Sequence, residues 1–108
     1  MYYVYMLRCQ GGSLYTGMAA DLHRRMRVHT EKMSACSRYT RSHPPTALEA
    51  AWQTQTRSDA LRLEALIKRL DRARKLALIA APESVNAVFG EKLCGAAFVP
   101  LPPEELHL

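Results

Sequence analysis

Tyr2-Tyr3-Val4-Tyr5-Met6-Leu7-Arg8-Cys9-Gln10-Gly11-Gly12-Ser13-Leu14-Tyr15-Thr16-Gly17-Met18 is the stretch that decides the fold of this chain. Residues 2–9 are rich in aromatic and β-branched types, which suit a pleated surface, and read as a strand. Both faces of that strand are apolar, so it is expected at the centre of a sheet, covered on both sides. Gln10-Gly11-Gly12-Ser13 is a turn signal. Leu14 to Met18 then reads as a second strand, closing a hairpin. Side chains alternate across a strand, so the turn length decides whether Tyr5 and Tyr15 share a face. A two-residue Gly11-Gly12 loop would pair Tyr15 with Arg8 and put the tyrosines on opposite faces. A three-residue Gln10-Gly11-Gly12 loop would pair Tyr15 with Leu7 and put them on one face.

Beyond the hairpin, Asp21 is placed to cap a helix from Leu22 to about Thr30. Leu22, Met26 and His29 form its inward stripe at helical spacing. Residues 31–45 read as a polar, basic loop ending in Pro44-Pro45. Ala47 to Gln53 reads as a third strand with Leu48, Ala50 and Trp52 on one face. A further helix begins near Thr56, where Thr56 and Asp59 fit a capping box with Asp in place of Glu or Gln. Leu63, Leu66, Ile67 and Leu70 give it a buried stripe. A short helix, Arg72 to Ala80, stops before Pro82, and Ser84 to Phe89 reads as one or two helical turns. The order strand, strand, helix, strand, helix, helix predicts an α+β domain with one small sheet covered by helices. Residues 82–108, with Pro100, Pro102 and Pro103, read as a C-terminal extension, surface-packed or mobile.

The 108 residues suit one domain with a modest core. Hydrophobic residues make up 48% and charged residues 23%, the balance of a soluble globular chain. No apolar run reaches the roughly 20 residues that cross a bilayer. The apolar start ends at Arg8 with no basic segment before it, so no signal peptide is expected and a cytoplasmic location is the default. Cys9, Cys36 and Cys94 are odd in number and widely spaced, and read as free thiols rather than a disulfide framework or a zinc site. The net charge of +5 is uneven: residues 1–81 hold 14 Lys and Arg against 6 Asp and Glu, whereas residues 82–108 hold 1 against 4. A basic body points to a polyanionic partner, nucleic acid first.

Phosphodiester hydrolysis needs a group that activates water, a positive group for the phosphoryl oxygens, and stabilisation of the leaving oxygen, often by a metal. Arg25 and His29 stand four apart on the first helix, hence on one side of it. They read either as a phosphate clamp with a functional imidazole or as a solvated arginine with a satisfied core histidine. Glu64, at the edge of the Leu63–Ile67 stripe, is either a ligand for a hard cation or the partner of Lys68 in an i, i+4 bridge. Tyr5 and Tyr15 are either site residues or core aromatics. Ser37-Arg38-Tyr39-Thr40-Arg41-Ser42-His43 interleaves arginines, hydroxyls and an aromatic ring, as phosphate contacts with base stacking would require and as a solvated loop also does. His107 has no cluster around it, and no phosphate-binding glycine loop, Ser-His-Asp arrangement or dinucleotide fingerprint is present.

As an ordered set, these residues resemble the GIY-YIG nuclease superfamily, and within it the small single-domain bacterial branch. Tyr3-Val4-Tyr5 stands at the first tripeptide, and Gly11-Gly12-Ser13-Leu14-Tyr15-Thr16-Gly17 runs into the second. Asp21-Leu22-His23-Arg24-Arg25 follows, with Arg25 ten residues after Tyr15 and His29 four further on. Arg38-Tyr39-Thr40-Arg41 with Pro44-Pro45 looks like the branch's loop, and Ser58-Asp59-Ala60-Leu61-Arg62-Leu63-Glu64 with Lys68 like the acidic helix. The likeness covers residues 1 to about 80, so 1–81 is expected to be the nuclease domain.

The resemblance implies a three-stranded antiparallel sheet flanked by helices and a metal-dependent DNA endonuclease using one Mg²⁺ or Mn²⁺. It implies Glu64 as the metal ligand, Arg25 as the phosphate clamp, Tyr15 acting as, or helping to form, the general base with Tyr5 beside it, and His29 assisting proton transfer or holding a tyrosine hydroxyl. Arg24, Arg38, Tyr39, Arg41 and Lys68 would contact nucleic acid. A tyrosine pKa of about 10 leaves little phenolate at neutral pH, so a nearby arginine and metal are expected to lower it. Tyr3 replaces the first family Gly, and Thr16 the middle Ile of the second motif. Leu76 lies near the place of the family's Asn, leaving Asn86 as the remaining candidate. DNA is the expected partner, with RNA open. Roles in DNA repair or recombination or on single-stranded DNA, and a monomer, are the working expectations. The competing reading is a catalytically silent nucleic-acid-binding module or a subunit of a larger repair assembly. The complete Tyr5, Tyr15, Arg25, His29 and Glu64 set argues against silence, because binding alone has no use for Glu64.

Overall fold

The computed structural model describes residues 1–31 and 37–108. Its sheet has the order β2-β1-β3-β4, with β1 at Tyr2–Cys9, β2 at Leu14–Ala19, β3 at Pro45–Thr54 and β4 at Val99–Pro100. All pairings are antiparallel. The fold is therefore α+β as expected, with one strand more than the three anticipated. The addition is a two-residue strand from the C-terminal extension. Among the described residues no helix is long and apolar enough to cross a membrane.

The hairpin takes the three-residue form. Leu7 pairs with Tyr15 and Tyr5 with Gly17, so the two tyrosines share a face. The Cys9 amide donates to the Ser13 carbonyl at 2.8 Å, closing the loop around Gln10, Gly11 and Gly12. Gly11 and Gly12 have φ of 89° and 88°, a left-handed backbone that side chains resist.

Among the described residues, four α-helices follow the expected starts and stops, and a fifth was not anticipated. Asp21 caps α1 (Leu22–Thr30) by accepting from the Arg24 amide, and Thr56 caps α3 (Arg57–Lys68) by accepting from the Asp59 amide. Asp71 caps α4 (Arg72–Ala80) in the same way, and α5 spans Val85–Phe89. The segment read as a loop contains α2 (Arg38–Ser42), whose Ser37 cap accepts from the Thr40 amide. Five residues are too few for a helical period to show in sequence. The rest of that reading, residues 32–36 with Cys36, lies outside the described residues. Cys9 is buried and Cys94 exposed, both as free thiols.

The sheet separates two apolar clusters. Val4, Met6, Ala50 and Trp52 face α3, α4 and α5 through Leu63, Ile67, Leu78, Val85 and Phe89. Tyr5, Leu7, Leu48 and Ala51 face α1 through Leu22 and Met26. The expectation that Leu48, Ala50 and Trp52 share a face is thus corrected. Met6 pairs with Ala50 but Leu7 with Leu48, so Glu49 is an extra residue in a bulge and Leu48 turns to the opposite side. The bulged Glu49 pairs with Arg8 at 3.3 Å.

Residues 82–108 pack apolar side chains on both faces of the sheet. Val85, Phe89, Leu93 and Phe98 are buried in the first cluster. After β4 the chain crosses to the other face, where Leu101 and Leu106 pack on the second. The Trp52 indole N–H donates to the Pro82 carbonyl at 2.9 Å. This extension carries acidic residues and few cations, so charge alone makes it look detached. Its apolar residues, each contributing roughly 1.5–3 kcal/mol when fully buried, hold it to the sheet.

Candidate active site

Tyr5 is the centre of the site, and Gly17 determines where its hydroxyl goes. The Tyr5 ring lies across Gly17 on the neighbouring strand. A Cβ at residue 17 would stand 2.5 Å from the Tyr5 hydroxyl oxygen and 2.7 Å from its ring carbon Cζ, closer than real Cβ atoms come. Only glycine lets the ring cross the edge strand β2 and bring its hydroxyl to α1. The requirement is close approach, not an unusual backbone angle.

Two residues of α1 meet that hydroxyl. Tyr5 Oη lies 2.8 Å from His29 Nε2, and Arg25 Nε donates to Tyr5 Oη at 3.3 Å. The His29 Nδ1 atom is in turn 2.8 Å from Thr40 Oγ1 on α2. Thr40 Oγ1 is 2.8 Å from the Ser37 hydroxyl. Tyr5, His29 and Thr40 are each 0% exposed, so this is a buried polar chain.

The rings extend the site outward. Tyr15 meets the His29 imidazole edge-on, with centroids 5.6 Å apart. Tyr39 stacks on Tyr15 at 5.9 Å, and His43 stacks on Tyr39 at 4.5 Å. Arg38 and Arg41 are exposed on α2, and Arg24 is exposed on α1 next to Arg25. Glu64, on α3, pairs with Lys68 Nζ at 3.5 Å.

Burial sets the charge states. It pushes the Tyr5 pKa up to about 12, against the lowering effect of the Arg25 hydrogen bond and charge, with smaller upward contributions from Tyr15 and Glu64. Arg25 lowers the Tyr5 pKa, as a nearby arginine was expected to do for a tyrosine base, but at Tyr5 desolvation outweighs the cation. Burial, and then the Arg25 charge, push His29 down to about 4, so its imidazole is neutral at pH 7. Glu64 is therefore near enough to Tyr5 to influence it, although α3 packs its own apolar face on the opposite side of the sheet.

A family model described as the GIY-YIG catalytic domain matches residues 1–77. The chain belongs to the GIY-YIG family. This is a nuclease family. The chain is 43% identical over 86 residues to a UPF0213 protein of Xanthomonas axonopodis pv. citri, covering 79% of this chain and 82% of that one. It is 40% identical over 83 residues to a UPF0213 protein of Fusobacterium nucleatum, covering 77% and 81%. The solution NMR structure of a UPF0213 protein from Bacillus halodurans covers 83% of this chain and 98% of that chain, with 33% identity and a TM-score of 0.49.

Within this GIY-YIG domain, the fold gathers Tyr5, Tyr15, Arg25 and His29 on one face of the hairpin, with Tyr39 stacked on Tyr15. Asn86 is not brought there. It is exposed on α5, which packs on the Val4–Met6 face. Sequence reasoning missed Thr40 and His43 as site neighbours. The available signal was Ser37 three residues before Thr40, the spacing of a helix cap.

Proposed function

We propose that the protein is a divalent-metal-dependent DNA endonuclease. The observation that carries this reading is the Tyr5 hydroxyl, held between the Arg25 guanidinium and the His29 imidazole beside the Tyr15 ring. A core that needed only packing would have no use for two polar side chains, Arg25 and His29, meeting at one buried hydroxyl.

The donors available suit one hard cation. Among the described residues no group of three His, Cys, Asp or Glu could enclose a metal. Mg²⁺ needs no such cage, because it keeps several waters and takes one or two carboxylates together with substrate phosphates. Glu64 would hold Mg²⁺ or Mn²⁺ by exchanging its Lys68 partner, which is exposed and weakly bound. Once bound, the ion supplies charge stabilisation at the leaving oxygen.

The chain's own residues would divide the remaining work. Arg25 binds the phosphoryl oxygens, where a planar guanidinium can donate two parallel hydrogen bonds. Tyr15, in its phenolate form, would take the proton of the attacking water. Tyr5 is the poorer candidate for that task, because burial holds its hydroxyl protonated, with the pKa pushed up to about 12. Its role is to orient, as a neutral hydroxyl anchored on neutral His29. Arg24, Arg38 and Arg41 offer exposed charge for the DNA backbone, and Tyr39 an aromatic face.

The test is cleavage of labelled single-stranded, duplex and branched DNA with Mg²⁺ or Mn²⁺. Arg25→Ala and Glu64→Ala are each expected to lower turnover by about 100-fold or more, the usual scale for losing a charge-stabilising group. Wild-type protein that binds these DNAs but cuts none of them would replace this reading with that of a binding module.

A further inference from the structure

The α2 helix turns two different faces to its surroundings. Arg38 and Arg41 point to solvent, whereas Thr40 is fully buried against His29. A buried threonine hydroxyl needs a reason, and the hydrogen-bond directions around Tyr5 supply one.

Arg25 Nε can only donate, so the Tyr5 oxygen accepts from it. The Tyr5 proton is then available to the other neighbour within reach, His29 Nε2 at 2.8 Å. A neutral imidazole that accepts at Nε2 carries its proton on Nδ1. That Nδ1–H faces Thr40 Oγ1 at 2.8 Å, and Thr40 passes its own proton on to Ser37, whose carbonyl accepts at 3.4 Å. Each bond fixes the direction of the next. In the other tautomer, Nε2–H would donate to the Tyr5 oxygen and force the Tyr5 proton to turn elsewhere.

We propose that Thr40 is a positioning residue, holding His29 in the Nδ1–H tautomer and thereby setting the direction of the Tyr5 hydroxyl. Thr40 does not touch substrate. It makes the orientation of the reacting end of the hairpin depend on α2 being docked, on the same helix whose outer face presents Arg38 and Arg41. The catalytic consequence rests on the nuclease reading, whereas the tautomer itself does not.

Two measurements separate the claims. Long-range ¹⁵N–¹H spectra report which His29 nitrogen is protonated, with no substrate present, and turnover on labelled DNA reports the consequence. Wild type and Thr40→Ser should both have the proton on Nδ1. Thr40→Val, which keeps the shape but removes the acceptor, should shift His29 towards the Nε2–H tautomer. It should also lower kcat by about tenfold while KM stays within about twofold. A wild-type His29 protonated on Nε2 would overturn the proposal, as would a folded Thr40→Val with an unchanged tautomer. So would a shifted tautomer with unchanged kcat in an active enzyme. If Thr40→Val fails to fold, the wild-type and Thr40→Ser tautomers decide the question. A tautomer that shifts as described in a protein that cuts no DNA upholds the positioning role and removes the nuclease reading.

Discussion

The two faces of β1 are built on different physics. Val4 and Met6 enter a cluster of apolar side chains from β3, α3, α4, α5 and the C-terminal extension. Tyr5, one residue along and on the opposite face, begins a chain of directional hydrogen bonds through His29 to Thr40. The first face is held by burial, which is non-directional and scales with the area removed from water. The second satisfies buried polar groups in pairs, and each atom left without its partner is costly. The apolar side should thus respond to lost volume, and the polar side to geometry and protonation.

The largest effect is expected on the apolar face. Leu63→Ala removes a fully buried side chain from the first cluster and should cost about 2–5 kcal/mol in urea unfolding, as large-to-small core changes do. Turnover of the folded fraction should stay near wild type. If turnover fell while stability held, the two faces would not be separable.

On the polar face, His29 should make stability depend on pH. Its pKa is lowered from 6.5 to about 4, so between those values the unfolded chain binds a proton that the folded chain refuses. The contribution is fully present above about pH 6.5 and is lost as pH falls towards 4. It amounts to on the order of 3 kcal/mol. Urea unfolding of wild type and His29→Gln at pH 7 and pH 4.5 measures it. The two proteins should differ in how much stability they lose on acidification, and parallel losses would remove His29 from the polar chain.

A smaller loss of stability, with a larger consequence for the site, is expected at Gly17. Gly17→Ala forces the Tyr5 ring away and should cost about 1–3 kcal/mol, the scale of overpacking, while breaking the Tyr5–His29 bond. Thermal melts and the His29 ¹⁵N signals read the two consequences. An unchanged His29 signal would mean that the ring can lie elsewhere without losing its partner.

Much of the site was legible as a list of residues, and its relations were not. Tyr5, Tyr15, Arg25 and His29 could be named because, as an ordered set, they resemble the family's motifs, whereas spacing alone read equally as core aromatics, a solvated arginine and a satisfied histidine. The Thr40 contact could not, because α2 is too short to have a readable period and its polar sequence resembles a solvated loop. The net rise of the Tyr5 pKa could not be read from the sequence, because a nearby arginine shows in spacing whereas desolvation requires the surrounding core. Leu48 was assigned to the wrong face because a bulge at Glu49 leaves no mark on alternation until the partner strand is present.

By itself, the sequence determined the hairpin, the capped helices α1, α3 and α4, and the identity of the polar residues, all of which follow from local backbone preference and short-range periodicity. Tertiary structure decided that the turn has three residues, that Tyr5 crosses Gly17 to reach His29, and that the acidic extension completes both cores. Those outcomes depend on register, close approach and burial between segments far apart in the chain. The tyrosine motifs thus mark the candidate site, while the packing around Tyr5 holds its hydroxyl protonated.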